Sequence, residues 1–271
     1  MPSPSAAPLL FDFRDLDVYR GDRRILQAFN LQVRRGEHVA LFGPNGCGKS
    51  TLIKTLTREL YPVDRPGLRF QVLGRDDWDV YELRRLLGIV TLDLLHQLSH
   101  EVVLRTVTGR ELVLSGHFGS VGLWPHQRVT PAQERRAREV LGFLDIAHLA
   151  DRPISEMSAG EQRRAVIGRA LVHDPAALIL DEPTNSLDPG AVREFRLLLR
   201  KLIRAGKTLV LVTHHVSDLV PEIERVILLR SGRVVADGPP ARIVTSSALS
   251  CLFGTRLQVV HRAGRFSLVA R

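Results

Sequence analysis

Residues 43–51 read Gly-Pro-Asn-Gly-Cys-Gly-Lys-Ser-Thr. Gly43, Gly48, Lys49 and Ser50 fit G-x-x-x-x-G-K-[ST], the pattern of a loop that cradles nucleotide phosphates. Glycines let backbone N–H groups turn toward an anion without a Cβ in the way. The spacing predicts that the loop runs from Gly43 through Pro44, Asn45, Gly46, Cys47 and Gly48, and that Lys49, Ser50 and Thr51 open a helix. A helix start adds unpaired donors and the positive end of its dipole. Lys49 then reaches the β- and γ-phosphates, and the Ser50 hydroxyl ligates Mg²⁺. The competing reading is a chance glycine turn. Glu37-His38-Val39-Ala40-Leu41-Phe42 before the loop and Thr51-Leu52-Ile53-Lys54-Thr55-Leu56 after it argue for the functional one, because strand, loop and helix is the context the motif needs.

A second set of residues adds hydrolytic chemistry. The apolar run Leu178-Ile179-Leu180 ends in Asp181-Glu182. A buried strand delivers such residues at its carboxyl edge, where open α/β sheets bind ligands. Asp181 is placed to orient Mg²⁺, mostly through water, and Glu182 to act as general base on an attacking water. Two acids at a strand end also suit helix capping, which is the bland alternative. About two dozen residues earlier, Met157-Ser158-Ala159-Gly160-Glu161-Gln162 opens another helix, a second anion-binding N-terminus on one chain.

The elements that must hold these residues follow from periodicity. Residues 9–40 alternate as an antiparallel β region with turns at Gly21-Asp22 and Arg35-Gly36. Residues 68–73 and 87–91 read as short strands. Helices are expected at 80–87, 131–144 (with Thr130 as cap), 161–172 and 190–204. The runs 177–180 and 208–212 are continuously apolar, as in parallel strands covered on both faces. The fold class is therefore α/β: a phosphate-loop NTPase with a parallel sheet core and an N-terminal antiparallel β region. Residues 93–155 form an inserted helical subdomain. The expected organisation is a disordered leader at 1–8, an ATPase domain at 9–245 and a C-terminal β-hairpin extension at 246–271.

Bulk properties narrow the setting. The 271 residues are 44% hydrophobic and 25% charged, an ordinary globular composition. No stretch approaches the ~18 apolar residues of a membrane span. The leader lacks the basic and apolar segments of a secretory signal. Two cysteines, Cys47 and Cys251, are too few for a disulfide scaffold and suggest a reducing, cytosolic setting. Cys47 lies in the phosphate loop, so modifying its thiol should block nucleotide binding. The net charge of +9 is carried by arginines scattered along the chain, which argues against nucleic acid as a partner.

In order, these motifs resemble those of the ATP-binding cassette ATPases. The resemblance covers roughly residues 9–245. The family signature Leu-Ser-Gly-Gly-Gln is similar to Met-Ser-Ala-Gly-Glu-Gln here. Asn185-Ser186-Leu187-Asp188 resembles the D-loop, Val212-Thr213-His214 the switch histidine, and Tyr19 the aromatic that stacks on adenine. The resemblance implies two copies packed head to tail. Each ATP lies between the phosphate loop of one copy and Ser158, Ala159, Gly160 and Glu161 of the other, with Asp188 nearby. His214 would contact the γ-phosphate; a histidine at a strand end is otherwise a structural residue, and Tyr19 is otherwise core. The family also places a glutamine soon after a strand like 87–90; that position is Leu92 here, and Gln97 follows five residues on. Either the loop is longer and Gln97 serves, or the role is altered.

The implied activity is Mg²⁺-dependent ATP hydrolysis coupled to transport. The chain would be a cassette that drives separate transmembrane permease subunits in import, with a solute-binding protein involved indirectly. It would sit peripherally on the cytoplasmic face of the cell membrane. Val113-Leu114-Ser115-Gly116-His117 loosely resembles importer ATPases for iron–siderophore and metal-chelate compounds, and Phe253-Gly254 with a following hairpin resembles molybdenum-related ones. Trp124, Phe118 and Leu123 would either anchor a permease helix or fill the helical subdomain. The alternative is a soluble mechanoATPase acting on ribosome or DNA.

Overall fold

The computed structural model describes residues 7–91, 94, 107–262 and 264–270. Leu92 and Gln97 lie outside them, as do most of the leader and the first part of the 93–155 insertion. Two compact units divide the chain, one of residues 1–83 with 202–271 and one of residues 84–201.

The first unit contains strands of two larger sheets and a two-stranded C-terminal hairpin. Strands β1 (Leu9–Arg20) and β2 (Arg23–Arg34) pair antiparallel, and β4 (Arg69–Val72) adds to the free edge of β1. Their inner face is aromatic: the Phe13 ring stacks 5.3 Å from Phe11 and 4.8 Å from Phe70. Two buried carboxylates brace the sheet. Asp12 takes Gln32, Arg14 and Arg69, and Asp17 takes Arg24, Arg65 and the Ala28 N–H, which together hold both acids below the usual carboxylate range despite burial.

The second sheet of this unit carries the phosphate loop. β3 (Val39–Phe42) lies parallel between β7 (Thr208–Thr213) and β8 (Arg225–Arg230), and β9 (Arg233–Gly238) closes one edge antiparallel. Every residue of β3 and β7 is buried, the outcome expected of their unbroken apolar runs. α1 (Lys49–Leu56) follows the loop. At the C-terminus, the strand pattern of 246–271 is only half the account. Residues Ser246–Phe253 form a helix, capped by Thr245 and stopped by Gly254 in the left-handed region, before the hairpin β10 (Leu257–Arg262) and β11 (Arg265–Ala270). Phe253 sets its ring edge-on to Phe42, 5.8 Å away, so this segment buttresses the strand that feeds the loop.

In the second unit, β5 (Leu87–Val90) and β6 (Ala177–Asp181) pair in parallel. α2 (Val80–Leu86) leads into β5. Helices α3 (Gly109–Ser115), α4 (Pro131–Phe143) and α5 (Ala159–Leu171) pack together. The expected Thr130 cap is a full capping box with Gln133. Gly168 lets α5 approach closely, since a Cβ there would lie 2.9 Å from Val113 Cγ2. α6 (Pro189–Arg204) starts after the acids of β6. Trp124 is exposed, whereas Phe118 and Leu123 are half-buried.

A histidine pair in this unit makes its stability pH-dependent. The His117 and His173 rings meet edge-on at 4.9 Å, and His173 Nε2 lies 3.0 Å from the Gly116 carbonyl oxygen. Burial, then the neighbouring His173, Arg85 and Arg136, push His117 from 6.5 down to about 4. A folded pKa below the unfolded one means the contribution is complete above pH 6.5 and lost as pH falls toward 4. The full gap corresponds to about 3 kcal/mol, reduced to about 1–2 kcal/mol because the ring is only half-buried. Urea unfolding at about pH 7 and about pH 4.5 checks this. His117→Asn should lose less stability over that interval than the parent; equal losses would remove His117 from the account.

Candidate functional site

The phosphate loop is built by backbone placement. Gly46 and Gly48 lie at φ 76° and 113°, conformations that β-carbons disfavour. Gly43 serves a different need. A Cβ there would strike the Leu229 carbonyl oxygen and come within 2.7 Å of Cys47 Sγ. Cys47 is buried at 3% exposure, and its carbonyl oxygen accepts from the Gly232 N–H at 2.9 Å. A thiol reagent would have to open the loop to reach it. The Lys49 ammonium is 5% exposed and donates to the carbonyl oxygens of Gly43 at 2.8 Å and Pro44 at 3.1 Å. The loop thus holds a cation at its centre while Asn45, Gly46 and Ser50 remain exposed. Beside it opens a cavity of about 270 Å³ lined by Arg23, Arg24, Arg230 and residues 44–47. Such a concave, cationic setting suits polyphosphate. Thr51, next in the helix, is buried.

His214 belongs to the same unit. The Gly43 N–H donates to the Thr213 carbonyl oxygen at 3.4 Å, which puts His214 next to the loop's origin in the chain. A residue that no motif flags fixes this turn: the Thr213 hydroxyl donates to buried Asp218 at 2.6 Å and accepts from the His215 N–H at 3.0 Å. Tyr19 is 43% exposed near the end of β1, opposite Arg24, so it is no core residue.

The other site residues lie in the second unit. Asp181 ends β6 and Glu182 follows it; they are 5% and 8% exposed. Glu182 takes φ 46°, a left-handed conformation for a non-glycine residue, and Ser186 does so at 62°. Asp188 is exposed and its Oδ1 accepts from the Ala191 N–H at 2.9 Å, capping α6. Ser158 caps α5, with Ala159 exposed beside it and Gly160 half-buried.

Glu161, expected among the nucleotide contacts, also has a structural task in its own helix. Its carboxylate accepts from the Ser158 N–H at 2.7 Å and the Ser158 hydroxyl at 2.8 Å, completing a capping box. The Ser158 backbone contact, above all, lowers its pKa. Both Ser158 donors are thus taken up by Glu161, and the backbone N–H groups left at this helix start are those of Ala159 and Gly160. Gln162 supports them from behind, donating to the carbonyl oxygens of Ile154 at 2.9 Å and Met157 at 3.1 Å.

A hydroxyl at Ser50 and a carboxylate at Asp181 are hard oxygen donors, the kind Mg²⁺ takes. Among the described residues no cluster of three or more metal-binding side chains exists.

Residues 26–185, more than half of the chain, match the ABC transporter family. The cobalt import ATP-binding protein CbiO of Rhodobacter capsulatus is 35% identical over 245 residues, covering 90% of this chain and 83% of that protein. The Nod factor export ATP-binding protein I of Neorhizobium galegae is 33% identical, covering 90% of this chain but only 66% of its own length. Among solved structures, cbiO1 from Clostridium perfringens, part of the ABC transporter complex cbiONQ, aligns with a TM-score of 0.75 at 27% identity, over 89% of this chain and 93% of that one. The chain therefore belongs to the ABC transporter family and is one of its ATP-hydrolysing cassettes.

Proposed function

We propose that the chain is the ATP-driven subunit of an importer and works as a head-to-tail dimer with ATP bound between copies. The observation that carries this is the division of donors. One unit has the phosphate loop with Lys49 held on its carbonyls, and the other leaves the N-terminal donors of α5 exposed. The backbone of residues 43–48, Lys49 and Thr51 bind the phosphates, and Tyr19 stacks on adenine. Ser50, and Asp181 through water, would hold Mg²⁺, which would supply neutralisation of phosphate charge. Glu182 takes the proton of the attacking water, and His214 holds the γ-phosphate side. Ser158, Ala159 and Gly160 of the second copy close the site. Loss of the γ-phosphate removes charge-assisted contacts from both sides at once, which lets the dimer part.

None of the helices among the described residues is long and apolar enough to cross a membrane. The motor then acts on separate permease subunits from the cytoplasmic face, and any solute-binding protein is engaged only through them. The 93–155 insertion supplies the permease contact, with exposed Trp124 as its anchor. Import is favoured because the relatives that match nearly end to end, from Rhodobacter and Clostridium, belong to cobalt import or the cbiONQ complex, whereas the chain spans less of the exporter ATPase. The test is capture of tagged Glu182→Gln with ATP from solubilised native membranes, read by mass spectrometry. A stoichiometric polytopic membrane protein is expected. Recovery of ribosomes or DNA-bound proteins instead would replace the transport reading with a soluble mechanoATPase.

A further inference from the structure

We infer that Arg163 is a positioning residue for hydrolysis: through the backbone turn 182–186 it sets the direction of the Glu182 carboxylate. The inference rests on the proposed role of Glu182 as general base. Arg163 lies on α5, five residues beyond the Ser158 cap, and is 6% exposed. Its Nη2 donates to the Asn185 carbonyl oxygen at 2.9 Å and its Nη1, at a longer 3.5 Å, to that of Glu182. The two carbonyls come from the turn framed by left-handed Glu182 and Ser186. A non-glycine residue in that region costs about 1–2 kcal/mol and persists only where its surroundings over-determine it. Locally the turn has the Asn185 N–H on the Glu182 carbonyl oxygen at 3.1 Å. The guanidinium adds a rigid two-pronged, charge-assisted clamp from a different element.

Stability alone does not account for this residue. Burial pushes the guanidinium down to about 10, so it stays charged at neutral pH, and its Nε is buried with no hydrogen-bond partner. A buried cation whose donors are incompletely matched is an expensive way to fill space. The neighbouring Arg164 shows the ordinary alternative, a guanidinium paired with a carboxylate, that of Glu194 at 2.8 Å. What Arg163 contributes is geometry at the residue whose side chain must meet a water, where a displacement of about 1 Å can cost a hundredfold in rate.

The experiment uses the full chain and compares the parent with Arg163→Met, Arg163→Lys, Glu182→Gln and the Arg163→Met/Glu182→Gln double variant. Steady-state MgATP hydrolysis and the Kd for MgADP are measured. Arg163→Met should lower kcat about 10–100-fold with the MgADP Kd changed less than about threefold, and Arg163→Lys, which keeps the charge and one donor, should recover part of the rate. The double variant should be no slower than Glu182→Gln, because the clamp acts only through that carboxylate. A normal kcat for Arg163→Met beside a slow Glu182→Gln overturns the inference alone. So does a double variant whose losses multiply. If Arg163→Met does not fold, Arg163→Lys in the two backgrounds decides by the same criterion. Near-normal turnover by Glu182→Gln instead removes the general-base reading, and the inference with it.

Discussion

Lys49→Ala is expected to leave the chain folded and unable to bind ATP. Lys49 is the cation already drawn onto the loop, its ammonium on the carbonyl oxygens of Gly43 and Pro44. A bound triphosphate would exchange those neutral acceptors for ionic ones, which roughly doubles the strength of each hydrogen bond. Alanine keeps the helix start and the amide cradle but removes the charge. A loss of about 3 kcal/mol of binding free energy corresponds to a Kd raised ~100-fold or more, and hydrolysis should fall below detection. The fold should survive. β3 and its neighbours are held by a continuous apolar core, and the two lost hydrogen bonds account for only about 1–3 kcal/mol. Titration calorimetry with MgATP, alongside a thermal melt, separates the two effects. A variant that melts like the parent and still binds tightly would deny Lys49 its role.

How much of this is legible in the sequence depends on whether a residue's partner is near along the chain. The loop, the strand-end acids and the Thr130 cap are local patterns, and each stands where the spacing places it. So do β3, β6 and β7, since a run that is apolar on both faces has few other fates. Ser158-x-x-Glu161 is equally local, a capping-box pattern, but reading it as an anion site alone leaves out the cap that the Glu161 carboxylate closes. Helix Ser246–Phe253 has its signals in Thr245, Gly254 and the apolar spacing of Leu249 and Leu252, which the expectation of a hairpin obscures. Arg163 cannot be read. Among Arg163, Arg164 and Arg169 on one helix, nothing local says which guanidinium meets the 182–186 turn, because its acceptors are backbone carbonyls 19 and 22 residues away. The Thr213–Asp218 contact is hidden for a similar reason, a buried acid following a histidine pair without any motif to flag it.

Glu182→Gln should bind MgATP like the parent, hydrolyse it about 10²–10⁴-fold more slowly, and accumulate as an ATP-bound dimer. The substitution is close to isosteric and leaves the backbone contacts of residue 182 in place, namely the Asn185 N–H and the Arg163 guanidinium on its carbonyl oxygen. What changes is the side chain's ability to take a proton, so the effect falls on kcat and spares affinity. With hydrolysis blocked, the proposed contacts from Ser158, Ala159 and Gly160 of one copy to the γ-phosphate on the other would persist, and the equilibrium would move toward the dimer by mass action. Gel filtration with light scattering should give twice the monomer mass with MgATP and the monomer mass with MgADP. Turnover within a few fold of the parent would move the base elsewhere. A slow enzyme that stays monomeric with saturating MgATP would keep the base and remove the sandwich, because the proposed sandwich links ATP occupancy to association through phosphate contacts from the second copy.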